Sequence, residues 1–341
     1  MLVRFTNTLL LALVGLLTLT GVYGLVWPFP GWMYDVHRWA GWSLIALIPW
    51  KTLISFRSLK RGLQPRFDRS VMIVVSMALA AGTLFVLVLG VMWAWRLGPE
   101  LLWLGAYGDT AISWHWMIAL GLLPFFVGHA WRRWPRPRRA DFLSRRSALK
   151  LAALGAAGVA GWGLAEYLAR TNASAPRRFT GSREQDSFTG NQFPVTNSVG
   201  EGQVRVPADD WRLTLGGAVG KPLTLTYADL LALPNAEKAA TIDCTTGWYS
   251  TQKWRGLPLP DLLALAQMDS AASAVRLRGI SGYAMDFTLA EAQEILLATH
   301  VGGEVLDHWH GFPLRAVVPS RRGWLWVKWV IEVEVLVRPH T

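Results

Sequence analysis

The pattern of apolar and polar positions divides this chain into two unlike halves. Over the first 170 residues, apolar side chains run on for roughly 20 positions at a time, the length that spans a bilayer as a helix. Five such runs are predicted to be transmembrane helices: Thr8 to Val26, Val36 to Phe56, Val71 to Trp95, Ile112 to Trp131 and Leu149 to Leu168. From Thr171 onward the runs are short. Trp211 to Leu215 alternates apolar with polar residues and predicts a strand, with Gly216-Gly217 as its turn. Leu225 to Leu233 predicts a short helix with Thr226 as N-cap, and Leu259 to Ala266 a second one opened by Pro258 and Pro260. Ala239 to Ile242, Ala274 to Leu277, Ala284 to Phe287, Leu314 to Val318 and Val327 to Val337 read as strands, and Leu289 to Ile295 as helix. Strands and short helices mix without regular βαβ alternation, so this half is expected to be α+β. The fold class is therefore multidomain: an all-α transmembrane bundle of five helices followed by an α+β domain. The expected boundaries are 1–134 for a four-helix membrane domain, 135–170 for a basic loop with the fifth helix, 171–190 for a Ser/Thr/Arg/Gly-rich linker, and 191–341 for the globular domain.

Charge changes the picture by where it sits. The net charge is +11, yet residues 171 to 341 hold 16 Lys+Arg against 17 Asp+Glu. The excess lies in Arg57 to Arg69, with five basic residues against Asp68, and in Arg132 to Arg146, with seven against Asp141. Both stretches lie between apolar runs, which fits the positive-inside rule and excludes a nucleic-acid partner as the reason for the charge. With both loops cytoplasmic, the helices alternate direction and the globular half emerges outside the cytoplasm, on the periplasmic side of a bacterial inner membrane. Trp27, Trp32, Trp39, Trp93, Trp95, Trp103, Trp114 and Trp116 then fall at outer ends, as an interfacial aromatic belt should.

Three histidines lie in or at the ends of the spans, where polar residues are expensive and usually functional. His37 and His115 begin the second and fourth helices at the same expected depth. His129 follows His115 by about 21 Å along the helix axis on roughly the same face. Imidazoles from facing helices are a natural haem-iron ligand set. One b-type haem on His37 and His115 is expected, and a second would need His129 with a partner near position 51, which is Lys51. The same histidines would also serve as hydrogen-bonded interfacial residues. The pattern His37, His115, His129 resembles the four-helix b-type cytochrome domains of bacterial membrane oxidoreductases.

Between the halves, Ser144-Arg145-Arg146-Ser147-Ala148-Leu149-Lys150 looks like a twin-arginine export signal, although the arginines alone would also set topology. Gly155, Gly158 and Gly161 lie within an apolar span with no strand before them, which favours close helix packing over a nucleotide loop. Ala173-Ser174-Ala175 mimics a cleavage site, but Pro176 after it is a poor context, so the fifth helix is expected to stay as an anchor.

Cys244 is the only cysteine in 341 residues. It cannot form an internal disulfide, and alone it is either a small buried hydrophobe or a ligand for a soft or redox-active metal. The residues around and after it carry a resemblance. Ile242-Asp-Cys-Thr-Thr-Gly-Trp-Tyr, Trp254-Arg-Gly-Leu-Pro-Leu-Pro-Asp-Leu-Leu, Gly282-Tyr283, His310-Gly-Phe-Pro-Leu-Arg-Ala-Val-Val-Pro319 and Arg321-Arg-Gly-Trp-Leu-Trp-Val-Lys-Trp329 occur in one order over about 150 residues. Together they resemble the molybdopterin-binding domain of the sulfite oxidase family, in its bacterial branch that includes the periplasmic methionine sulfoxide reductase catalytic subunit.

The resemblance implies a molybdenum cofactor with Cys244 as its protein thiolate. It implies cofactor-binding roles for Asn191, Ser281, His310, Arg315, Arg322, Trp326 and Lys328. A phosphate-bearing cofactor needs guanidinium and ammonium donors, and Arg315, Arg321, Arg322 and Lys328 cluster within one short stretch. The sulfite-oxidising members place arginines beside the ligand cysteine. Here Ile242 and Asp243 precede it, and Asp243 would repel sulfite unless it points away. Tyr249, Lys253 and Arg255 are candidate substrate-pocket groups.

The expected function is oxygen-atom transfer at molybdenum outside the cytoplasm, exchanging electrons with the quinone pool through the haem and reducing an S- or N-oxide, the substrate being a small molecule or a protein sulfoxide. Sulfite oxidation with electrons passed into the membrane, or a non-catalytic membrane-anchored binding module, are the alternatives.

Overall fold

The computed structural model describes residues 2–28, 30–62, 67–95, 97–99, 101–104, 107–132, 136, 138–171, 177–196 and 205–337. Side chains of the basic stretch 57–69, and residues 172–176 with Ala173-Ser174-Ala175 and Pro176, lie outside that description. The chain forms two compact units, one from Met1–Gly24 and Phe29–Gly181, the other from Leu25–Pro28 and Ser182–Thr341.

The first unit is helical: α1 (Leu2–Val26), α2 (Gly31–Gly62), α3 (Phe67–Trp95), α4 (Ala111–Arg132) and α5 (Arg145–Thr171), with a hairpin of β1 (Leu102–Leu104) and β2 (Tyr107–Asp109) between α3 and α4. Four of the described helices contain stretches long and apolar enough to cross a membrane: Val3–Val26, Val74–Trp95, Ala111–Arg132 and Arg145–Leu168. The expectation of five apolar spans is thus met by four. The second run is helical but interrupted by Arg38 and Lys51. These charges find partners on neighbouring helices. Arg38 pairs with Glu166 of α5 and lies 3.7 Å from Asp35. Its guanidinium also sits over the rings of Tyr34 and Trp162, at 5.0 and 5.4 Å. Lys51 donates to Asn7 Oδ1 at 2.7 Å.

The glycines of α5 serve helix packing. Trp39 Nε1 donates to the Gly155 carbonyl at 3.3 Å. A Cβ at Gly158 would collide with Ser43 Oγ, and one at Gly161 would meet the Trp42 ring at 3.0 Å. Small residues at this spacing let two helix backbones approach closely. Arg145 and Arg146 form the first turn of α5, and Ser144 Oγ caps it by accepting from the Ser147 amide at 3.1 Å.

The second unit contains β3 (Arg183–Glu184), β4 (Arg212–Gly217), β5 (Leu223–Thr226), α6 (Tyr227–Ala232), β6 (Ala236–Asp243), β7 (Trp248–Pro258), α7 (Leu259–Leu265), β8 (Ala274–Gly279), β9 (Ala284–Thr288), α8 (Leu289–Ala292), β10 (Leu296–Val301), β11 (Glu304–Val305), β12 (Arg315–Val317) and β13 (Val330–Leu336). One sheet centres on β7, which pairs antiparallel with β6 along one edge and with β10 and the parallel β3 along the other. β11 and β12 both pair with β10. The other sheet runs β5-β4-β13-β8-β9 and is antiparallel except for β4 with β13. Residues of both sheets, such as Leu213, Leu257, Leu277, Leu297 and Val333, share one apolar core. Buried tryptophans staple this core, each donating its indole N–H to a carbonyl: Trp211 to Val330, Trp254 to Ala240, Trp326 to Arg321 and Trp329 to His308.

Residues 182–190, expected as part of a linker, run along β7 instead. Gln185 and Phe188 donate backbone N–H groups to Tyr249 and Thr251, and Ser250 and Gln252 both donate to the Asp186 carbonyl. The predicted helix Leu225 to Leu233 begins as strand β5 and turns helical at Tyr227, with Thr226 and Asp229 forming a capping box.

Candidate active site around Cys244

Cys244 follows β6 directly and opens the turn into β7. Its amide donates to the Trp248 carbonyl at 2.8 Å, and the Gly247 amide returns to the Cys244 carbonyl at 3.2 Å. Gly247 has φ +94°, a conformation that costs a residue without Cβ nothing, so the four-residue turn closes tightly. The thiol is buried and accepts from Thr246 Oγ1 at 3.2 Å. Burial pushes its pKa up, while Thr246 and the Arg322 guanidinium pull the other way.

Asp243 is the last residue of β6, directly before the turn. Its Oδ1 accepts from Ser182 Oγ at 2.6 Å and from Arg322 Nη1 at 2.8 Å, with both ionic partners buried. Arg322 Nη2 donates to the Cys244 carbonyl at 2.8 Å. Arg322 Nε is buried and makes no hydrogen bond among the described residues. The arginine is carried by a loop that lies on β6: a Cβ at Gly323 would meet Ile242 Cγ1 at 2.8 Å.

A second cluster forms around Arg315, which is fully buried. Its Nη1 donates to the His310 carbonyl and its Nη2 to Thr196 Oγ1, both at 3.0 Å. The guanidinium lies 5.7 Å from the Trp254 ring and 5.9 Å from that of Trp326. His310 Nδ1 lies 2.8 Å from Asp307 Oδ1, and its Nε2 lies 2.9 Å from the Phe193 carbonyl. Burial, helped by Arg315, holds this imidazole below its usual pKa against the opposing pull of Asp307. Asn191 joins the cluster, accepting from the Asp307 amide and donating to Glu304 and the Val305 carbonyl. Lys328 is buried with its Nζ 4.2 Å from the Trp329 ring.

Of the residues expected in the site, Cys244 and Arg322 are joined directly, and Asn191, His310 and Arg315 form one network. Trp326 stacks on that network. Ser281 is exposed in the β8–β9 turn, where it accepts from the Tyr283 amide. Lys253 and Arg255 lie on the exposed face of β7, and Arg255 is engaged by His300 at 3.0 Å. The sequence reading missed Ser182, Arg183, Thr196 and Thr246. Arg183 is buried, and its amide bonds to Gly247 of the cysteine turn. Its place in a stretch rich in small polar residues hid it.

Comparisons with known proteins fit this geometry. The profile of the oxidoreductase molybdopterin binding domain matches residues 201–341. The uncharacterized oxidoreductase YuiH of Bacillus subtilis is 31% identical over 151 residues, covering 43% of this chain and 76% of that protein. The chain belongs to the molybdopterin-binding oxidoreductase family. Human mitochondrial sulfite oxidase is 32% identical over 180 residues, covering 43% of this chain but 32% of its own length. YedZ1 of Azospira oryzae, named as a candidate protein-methionine-sulfoxide reductase subunit, is 28% identical over 142 residues, covering 41% and 54%. The chain thus spans about a third of one of these relatives and half of the other.

The interior of this molybdopterin-binding oxidoreductase suits an anionic, thiolate-ligated cofactor. Arg183, Arg315, Arg322 and Lys328 are buried in the second unit against a single buried carboxylate, Asp243, among the described residues. Buried cations need an anion to offset their desolvation. A phosphate-bearing dithiolene with a metal beside one buried thiol meets that need, so the residues fit the molybdenum cofactor that the family implies.

The helical unit holds a second constellation. The rings of His37 on α2 and His115 on α4 meet edge to face, with centroids 6.4 Å apart and an interplanar angle of 68°. His115 Nδ1 lies 2.7 Å from the Val86 carbonyl, an acceptor only, so that nitrogen carries the proton. Thr20 Oγ1 donates to the Leu16 carbonyl and lies 2.7 Å from His37 Nδ1, which assigns a proton to that nitrogen too. Both Nε2 atoms are then left with lone pairs. Two metal–imidazole bonds of about 2 Å each, added to the ring radii, span roughly this separation. Gly90 faces His115, where a Cβ would come within 3.1 Å of the ring. His129 lies near the C-terminal end of α4, and Lys51 is bonded to Asn7.

Proposed function

We propose that this oxidoreductase is a membrane-anchored molybdenum enzyme whose catalytic unit faces the extracytoplasmic side and reduces an S- or N-oxide with electrons drawn from quinol through a b-type haem. The observation that carries the reading is the buried Cys244 turn within a cation-rich interior, in a chain of a molybdopterin-binding family. Cys244 would hold the metal, and Arg315, Lys328 and His310 would hold the pterin and its phosphate, with Trp326 against it and Asn191 ordering the segment that carries His310. When bound, the cofactor supplies two-electron oxygen-atom transfer. The chain's part is to position the thiol, exclude water from it and offset the cofactor's charge.

His37 and His115 would hold haem iron, with Thr20 and the Val86 carbonyl fixing the tautomers. A haem there would pass electrons singly. The basic stretches at 57–69 and 132–146 support a cytoplasmic location for those loops. α2 serves as a fifth crossing in this reading, its charges satisfied by Glu166 and Asn7. The twin-arginine motif would then act within α5, which stays in the bundle as an anchor.

A neutral oxide is favoured because no arginine adjoins Cys244 in sequence and the charge of Arg322 is spent on Asp243. One observation favours the sulfite reading: Arg183 is a buried cation whose backbone bonds to the cysteine turn. The deciding experiment quantifies molybdenum and records a reduced-minus-oxidised spectrum on one preparation, with sulfoxides, N-oxides and sulfite assayed in parallel. Molybdenum near one per chain and b-type bands are expected. Cys244→Ser should abolish turnover and leave those bands, and His115→Ala should remove them. Protein without molybdenum would defeat the reading, and turnover by Cys244→Ser would remove Cys244 as ligand.

A further inference from the structure

We infer that Arg322 and Asp243 form a positioning clamp that fixes the direction of the Cys244 thiolate, rather than a pair that contacts cofactor phosphate or substrate. The inference rests on the molybdenum reading above. Arg322 spends Nη1 on the Asp243 carboxylate and Nη2 on the Cys244 carbonyl, each at 2.8 Å. Asp243 takes a further bond from Ser182 at 2.6 Å, so the carboxylate is oriented from two sides. The Cys244 carbonyl also accepts the Gly247 amide at 3.2 Å, and the Cys244 amide is bonded to Trp248. Both backbone groups of Cys244 are therefore held, and the rotation left to the residue lies in its side chain, where Thr246 donates to the sulfur.

The planar fork of a guanidinium suits this task, because one rigid group aims two donors at acceptors from consecutive residues. The clamp is itself held. Gly323 lies against Ile242 and Thr196, Arg321 pairs with Glu291 of α8 at 2.5 Å, and Tyr283 Oη donates to the Trp324 carbonyl at 3.1 Å. The pair is neutral as a whole, so it holds the cysteine without placing net charge beside it. A ligand held by oriented supporting groups is what a reactive metal requires.

Arg322→Lys separates the two arms. An ammonium can keep the Asp243 ion pair but lacks the fork that also reaches the Cys244 carbonyl. The purified full-length variant is expected to retain molybdenum at the unsubstituted stoichiometry and to show a shifted thiolate-to-molybdenum absorption band. With dimethyl sulfoxide and reduced benzyl viologen as probes, kcat is expected to fall about 10- to 100-fold at unchanged KM, as for a misplaced reacting group. Asp243→Asn, which leaves Arg322 less firmly aimed, should give the same signature in weaker form and serves alone if the lysine variant does not accumulate.

An unshifted band with molybdenum retained in the variants overturns the clamp. So does loss of molybdenum with an unshifted band in what remains, since that marks a cofactor-binding role. Absence of molybdenum from the unsubstituted chain would overturn the proposed function instead.

Discussion

At Gly323 there is no room for a side chain, because an added Cβ would meet Ile242 Cγ1 at 2.8 Å and approach Thr196. Gly323→Ala is expected to lower stability by about 1–3 kcal/mol, the usual effect of overpacking a filled site. Urea denaturation with an unchanged slope checks this, and an unshifted midpoint would show that the loop gives way freely. Residue-scale legibility in the sequence was uneven for a physical reason. Cys244 stood out because it is alone, and its flanking motif is contiguous. Asp243 suggested repulsion of an oxyanion, because its neutralising partner lies 79 positions away and only folding brings Arg322 to it. Ser182, 61 positions before Asp243, was equally invisible.

Among the elements, those with an apolar stripe were legible and those with buried polar groups were not. β4, β6, α7 and β8 lie close to their expected places, and the Thr226 cap is present. β7, the centre of its sheet, was missed. Its inward face carries Ser250 and Gln252, both fully buried and bonded to Asp186, so the apolar alternation breaks where the strand matters most. β10 was missed because Leu296–Val301 is buried at every position, which hides any period of two. Its histidine supports a prediction. His300 Nε2 faces Arg255 at 3.0 Å, and burial, then that guanidinium, hold its pKa below 6.5. The unfolded chain therefore binds more protons below about pH 6.5, so stability rises with pH up to that value and falls as pH drops toward the folded pKa. Denaturation midpoints across this window should fall on acidification, and His300→Gln should flatten the slope. An equal slope in the variant would assign the pH dependence to other groups.

For the whole molecule, the two-part division was legible from hydropathy alone, while the count of apolar spans was not, because α2 carries charges whose partners sit on α1 and α5. The proposed orientation makes a labelling prediction. In a Cys244→Ser background, a cysteine at the exposed Asp209 should react with a membrane-impermeant maleimide in intact spheroplasts, and one at the exposed Arg139 should react only after lysis. The reverse pattern would invert the topology. The buried basic side chains of the second unit also bear on the order of events during biogenesis. If the domain takes the proposed cofactor, its loaded form is more stable than its empty one, since whatever binds the native state alone stabilises it. Compactness then reports loading. A protease that cuts transiently opened chains would remove empty copies and spare filled ones, without any means of sensing the metal.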